Sequence, residues 1–118
     1  MQAGAYTTHG RLPEVAPNVV LHVGWFSDTL PPFVAQHHDP VRFVNIDCNI
    51  YSSTRTVLEH LEQRLVPGTV LIFDEYICNP SWRDDEYKAF REFVQRSRVS
   101  YRYLLFSPYS RQAAVIIE

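Results

Sequence analysis

The chain has 118 residues, 46% of them hydrophobic and 20% charged, with a formal net charge of −2. That is enough for one domain around one core, and the charge balance excludes the basic footprint of a nucleic-acid or membrane-surface binder. No apolar run reaches the length of a bilayer span and no charged-then-apolar leader opens the sequence, so a cytoplasmic setting is expected, with neither membrane nor nucleic acid as partner.

Residues 1–17 carry Gly4, Gly10, Pro13 and Pro17 among polar residues and read as an N-terminal arm, with a single domain over residues 18–118. The β-branched run NVVLHVGWF, residues 18–26, predicts a first strand. After a turn at residues 27–32, a short helix beginning near Asp28 and Thr29 is expected. Its prolines would fall in the first turn, where a missing N–H costs nothing, and it would end near residues 37–40. Residues 41–47 predict a second strand, apolar on both faces near its centre like a buried parallel strand.

Residues 54–65 predict a helix, because Val57, Leu58, Leu61 and Leu65 share one face. Ser53 or Thr54 would cap it and Pro67-Gly68 would stop it. A third strand is expected over residues 69–74. Ser81 with Asp84 resembles a capping box and opens a helix to about residue 97, with Tyr87, Phe90, Phe93 and Val94 as its apolar stripe. The charged run from Arg83 to Glu86 reads as a solvated helix start, with acids near the positive end of the dipole. Residues 101–106 and 112–118 are the last two strands. The link between them is too short for a crossover helix, so they are antiparallel neighbours.

The resulting fold class is α/β: a mostly parallel, Rossmann-like sheet with an antiparallel C-terminal hairpin and helices on its faces. The expected strand order is first-second-third-fifth-fourth, with only the fifth antiparallel. Two strands run into acids, in FVNIDCNIYSST and in TVLIFDEY. Ligand sites of open parallel sheets lie outside the carboxyl ends of the strands, so Asp47, Asn49, Asp74 and Glu75 are expected to meet at one edge. Clustered oxygen ligands suit a hard cation such as Mg2+, which acidifies a bound hydroxyl; the alternative is that these acids decorate loop ends and cap helices. Tyr51 and Tyr76 either line a substrate cleft or pack with their hydroxyls at its rim. Cys48 and Cys78 lack the spacing of a zinc site and read as buried free thiols.

The segments FVNIDCNIYSSTRTVLEHL, LVPGTVLIFDEY and WRDDEYKAFREFV, with GWFSDTLPPF upstream, resemble the C-terminal half of the macrocin O-methyltransferase family. These are class I enzymes dependent on S-adenosylmethionine, many of which methylate sugar hydroxyls of natural products. The resemblance implies a truncated class I methyltransferase sheet in which residues 19–23 stand at the family's third strand and its first two strands are absent. It implies that Asn49 stands at the second acid of an Asp-x-Asp pattern, and Asp74 and Glu75 at a later acidic pair. The metal set would then be Asp47, Asn49, Asp74 and Glu75. An amide ligates through oxygen but is no base at neutral pH, which leaves Asp47, Asp74 or Glu75 to take the hydroxyl proton.

The resemblance also places Gly24 and Trp25 near the adenine of the methyl donor; the other reading of Trp25 is a packing aromatic. A donor site needs a glycine-rich turn and an acid for the ribose, and the chain has only four glycines in no such pattern. The expected function is therefore a truncated O-methyltransferase-like protein that is not catalytic alone, with a small-molecule hydroxyl acceptor. The alternative is a non-catalytic binding or assembly domain that keeps the ligand edge. With the covering strands gone, the apolar run of residues 19–26 is expected to drive a homodimer with Trp25 or Phe26 at its interface.

Overall fold

The structure, a computed structural model, describes residues 8–118. One sheet of four strands is formed by β1 (Val41–Ile46), β2 (Leu65–Phe73), β3 (Tyr101–Phe106) and β4 (Ala113–Ile117), in the order β1-β2-β4-β3. β1 and β2 are parallel, and β4 runs antiparallel to both of its neighbours. These are the second, third, fifth and fourth strands expected from sequence, in the expected order.

The first expected strand is not there. Residues 18–25 are neither helix nor strand, and Val20, Val23 and Trp25 are largely exposed. A β-branched run becomes a strand only when a neighbour accepts its ladder bonds, and this run has none. It does not fall back beside β1, which is left as the open edge of the sheet. β1 is accordingly not buried on both faces: Phe43 and Asn45 are exposed. The N-terminal arm lies partly outside the described residues; residues 8–17 form no helix or strand and are exposed.

Cross-strand pairing arranges the sheet in rows. Val44, Leu71, Val115 and Tyr103 form one row, and Ile46, Phe73, Ala113 and Phe106 another. Against this face pack α2 (Tyr51–Leu61) and α3 (Glu86–Ser97), through Val57, Leu58 and Leu61 of α2 and Phe90 and Phe93 of α3. Burying each such side chain contributes about 1.5–3 kcal/mol. The intervening residues, Phe43, Val70, Ile72 and Ile116 among them, lie outside this core. Both core helices are thus on one face of the sheet.

Helix boundaries depart from the expected ones for local reasons. α1 (Phe26–Gln36) starts two residues early, which puts Pro31 and Pro32 beyond the first turn. The carbonyls of Ser27 and Asp28 therefore lose their intrahelical donors. α2 starts at Tyr51, so neither Ser53 nor Thr54 caps it; Ile50 is the cap residue and offers no side-chain bond. After a short 3-10 turn, Glu62–Arg64, the chain is already extended at Leu65, and Pro67 and Gly68 lie inside β2 rather than ending a helix. The irregularity shows as a register shift between the pairs at Val41 and Phe43. Buried Thr69 bridges it, accepting from Val66 N–H at 3.1 Å and donating to the Val41 carbonyl at 2.6 Å. α3 begins at Glu86, not Ser81; residues 79–85 are turns in which Ser81 Oγ bonds Asn79 and Asp85.

Candidate functional site

The carboxyl ends of β1 and β2 lie side by side, joined by the Asp74 N–H donating to the Ile46 carbonyl at 3.0 Å. Past Ile46 the chain runs through Asp47 and Cys48 to Asn49, whose φ of 62° is left-handed, a conformation that asparagine tolerates better than most residues. This kink turns the strand into α2. Asp47 is exposed and makes no hydrogen bond or ion pair with a described side chain. Asp74 is half-buried, and Gln112 Nε2 donates to its Oδ1 at 2.5 Å. Glu75 pairs with Arg111 at 3.3 Å.

Glu86 lies beneath these strand ends, at the first position of α3, and the sequence reading missed it by assigning its charged run to solvent. It is fully buried. Its Oε2 accepts the Glu75 N–H at 3.0 Å, while Oε1 has no partner. Burial pushes its carboxyl up to about 7; the N–H groups of Glu75 and Asn49 oppose this, and the nearby charges of Asp74 and Glu75 add to it. One signal pointed to it: Glu86 is followed at helical spacing by Ala89, Phe90 and Phe93, the buried stripe of α3, so an acid at that place heads an apolar face.

The two tyrosines have different places. Tyr51 donates to Glu92 Oε2 at 2.5 Å, and the Lys88 ammonium sits 4.8 Å from its ring centroid, so it ties α2 to α3. Tyr76 does not line a cleft: it is 1% exposed, among Phe73, Tyr87 and Phe90, with its hydroxyl 2.8 Å from that of Tyr103. Burial raises its pKa far above the ordinary phenol value.

Gly24 and Trp25 precede α1. Gly24 has φ 142°, and a Cβ there would meet Thr29 Cγ2 at 3.1 Å, so its need for glycine is explained by packing within the chain. Trp25 is 80% exposed rather than a core aromatic. It faces Ser52 and Ser53 across a shallow cleft of about 220 Å3. A second hollow, of about 310 Å3, opens between Phe26 and Leu30 of α1 and the end of β1, with Asp47 and Cys48 in its wall. Trp25 and Asp47 therefore border adjoining hollows, which meet at Phe26.

The expected metal set does not assemble: among the described residues no three His, Cys, Asp or Glu side chains gather to hold an ion. Asp74 and Glu75 are instead committed to Gln112 and Arg111. Cys48 is half-buried against Thr54, at 3.4 Å, and burial raises its pKa; Cys78 is exposed, contrary to the expectation for both thiols.

A β-α-β unit continued into an antiparallel hairpin, with acids at its carboxyl edge, defines a Rossmann-like methyltransferase sheet of partial extent. The chain belongs to the macrocin-O-methyltransferase (TylF) family, whose profile it matches over residues 8–100. It is 35% identical over 68 residues to the demethyldecarbamoylnovobiocin O-methyltransferase of Streptomyces niveus, covering 56% of this chain and 25% of that protein. It is 40% identical over 53 residues to the 8-demethyl-8-(2,3-dimethoxy-alpha-L-rhamnosyl)-tetracenomycin-C 4'-O-methyltransferase of Streptomyces olivaceus, covering 45% and 19%. Two structures of CalS11, a TDP-rhamnose 3'-O-methyltransferase of calicheamicin biosynthesis, superpose with TM-scores of 0.61 and 0.62 at 26% identity. They cover 79% of this chain but 38% and 35% of theirs. The chain is thus a partial-length O-methyltransferase-family protein, spanning a quarter or less of these curated relatives. No helix among the described residues is long and apolar enough to cross a membrane.

Proposed function

We propose that this chain is the acceptor-side portion of an S-adenosylmethionine-dependent O-methyltransferase for a sugar hydroxyl, in a cytoplasmic setting, and that it does not methylate alone. The single observation behind this reading is the strand-end edge, where exposed Asp47 stands beside an Asp74 that Gln112 holds in place. A hydroxyl docked there would donate a hydrogen bond to Asp47, the solvent-accessible acid, and be oriented by it, with Asp74 fixed at the neighbouring strand end. The sugar assignment follows two relatives whose names carry rhamnose.

S-adenosylmethionine supplies an electrophilic methyl group, but the residues present do not fit it. Gly24, which precedes Trp25 at the rim of the first hollow, has its open side filled by Thr29, and among the described residues no glycine-rich turn follows a strand. No step through the donor is therefore assigned to this chain. Amide shift mapping tests the reading. TDP-rhamnose should move the signals of Asp47, Asn49 and Asp74, and S-adenosylmethionine should move none. Silence toward the sugar nucleotide would remove the acceptor assignment; stoichiometric donor binding would show that the chain holds a donor site after all.

A second reading, a non-catalytic assembly domain, is favoured by a different feature, the sheet face that no described helix covers.

A further inference from the structure

Glu86 is the first residue of α3 and fully buried, while Asp84, two residues earlier, is exposed. An acid at the start of a helix ordinarily stays near water, where it meets the positive end of the dipole. Glu86 does not serve its own helix in that way. Its carboxylate reaches the two neighbouring turns instead: Oε2 accepts the Glu75 N–H at 3.0 Å, and the Asn49 N–H also stabilises the charged form. Those turns leave β2 and β1. One buried carboxylate therefore faces the backbone of both strand ends.

We propose that Glu86 is a positioning residue, a brace between the two strand-end turns that sets where Asp47 and Asp74 stand relative to one another. This rests on the reading of the edge as the place of the acceptor hydroxyl. Asp74 directly precedes Glu75, and Asp47 lies two residues before Asn49. A hold on those two N–H groups is thus a hold on the backbone that carries both acids. The turn at Asn49 needs one. Its φ of 62° is left-handed, which is costly for a residue with a side chain, and Ile50, the cap residue of α2, offers no side-chain bond to steady it. The other links at the edge act elsewhere: Gln112 fixes the carboxylate of Asp74 and Arg111 that of Glu75, both from the β3–β4 turn.

The cost of Glu86 also points to geometry rather than stability. Its Oε1 is buried without a partner, and leaving a buried polar atom unsatisfied costs about 1–3 kcal/mol, more for a charged group. A well-packed apolar side chain of similar volume would carry no such penalty. A carboxylate suits a brace because both of its oxygens accept and neither donates. An amide of the same size turns a donor toward one of the two N–H groups.

NMR of the full chain at mildly alkaline pH, where Glu86 is ionised, tests the proposal. Glu86→Gln keeps one carbonyl oxygen for Glu75 but not a second acceptor for Asn49, and Glu86→Met removes both at similar volume. In the glutamine variant the Asn49 amide and the Asp47 carboxyl carbon should shift, and Asn49 hydrogen exchange should quicken on the order of tenfold, while the Glu75 amide holds. The methionine variant should release both amides. Titration with TDP-rhamnose should show the dissociation constant raised about threefold or more in Glu86→Gln and about tenfold in Glu86→Met. Urea denaturation should find the glutamine variant no less stable than the parent, a separation of binding from stability that a purely structural acid would not give. Unmoved Asn49 and Asp47 signals in Glu86→Gln overturn the proposal, whether or not Glu86→Met folds. So does a sugar affinity that neither variant changes, or one that falls only as stability falls. A parent silent toward TDP-rhamnose removes the acceptor reading itself, and the amide and carboxyl signals then decide the brace alone.

Discussion

Replacing Glu86 by glutamine should change how the stability of this protein depends on pH. Glu86 is the one fully buried ionisable carboxyl among the described residues. Its carboxyl is raised from 4.5 to about 7 by burial. Between those two values the native chain holds a proton that the unfolded chain has released. Stability from this group is fully present below pH 4.5, declines as pH rises, and is lost above about 7. At about 1.4 kcal/mol per pH unit between those two values, the loss is about 3–4 kcal/mol as an upper bound. Glutamine mimics the protonated acid. Its carbonyl can still accept the Glu75 N–H, and its amide takes the unpartnered position that the neutral acid also leaves unsatisfied. Urea denaturation of both proteins, at fixed concentration, near pH 5 and again near pH 8, reads the effect. The two should match within about 1 kcal/mol at the lower pH, with the variant more stable by about 2–3 kcal/mol at the higher. Histidines and surface acids contribute equally to both proteins, so the difference isolates Glu86. A difference that does not change with pH, or a variant that loses stability as pH rises, would refute the account of a buried charge.

Thr69→Val removes both side-chain bonds that bridge the irregular stretch of β2 and leaves the Val66 N–H without its acceptor. It should cost about 1–3 kcal/mol in the same denaturation assay. Cys78 is exposed while burial raises the Cys48 thiol pKa, so a thiol reagent near neutral pH should modify Cys78 first, with mass mapping of the first adduct as the check. With no cluster of ligands among the described residues, added Mg2+ should leave the melting temperature of the parent and of Asn49→Asp unchanged. A rise confined to Asn49→Asp would show that the strand ends close around a cation.

Local pattern determined a good deal. The helical spacing of Val57, Leu58 and Leu61 and of Phe90 and Phe93 specifies two helices with one apolar face each, and those residues are the core. The short link after Phe106 requires an antiparallel hairpin, and the apolar runs ending in Asp47 and Asp74 require two strand ends that share an edge. Tertiary structure decided the rest, because each remaining property belongs to a neighbour rather than to the residue itself. Residues 18–25 have strand composition but no strand beside them to accept their hydrogen bonds. Tyr76 follows an acidic pair, yet its ring is enclosed by α3 and β3. Glu86 sits in a run of charges, but the direction in which α3 enters the fold carries its carboxyl under the strand ends, where water cannot stabilise the ionised form.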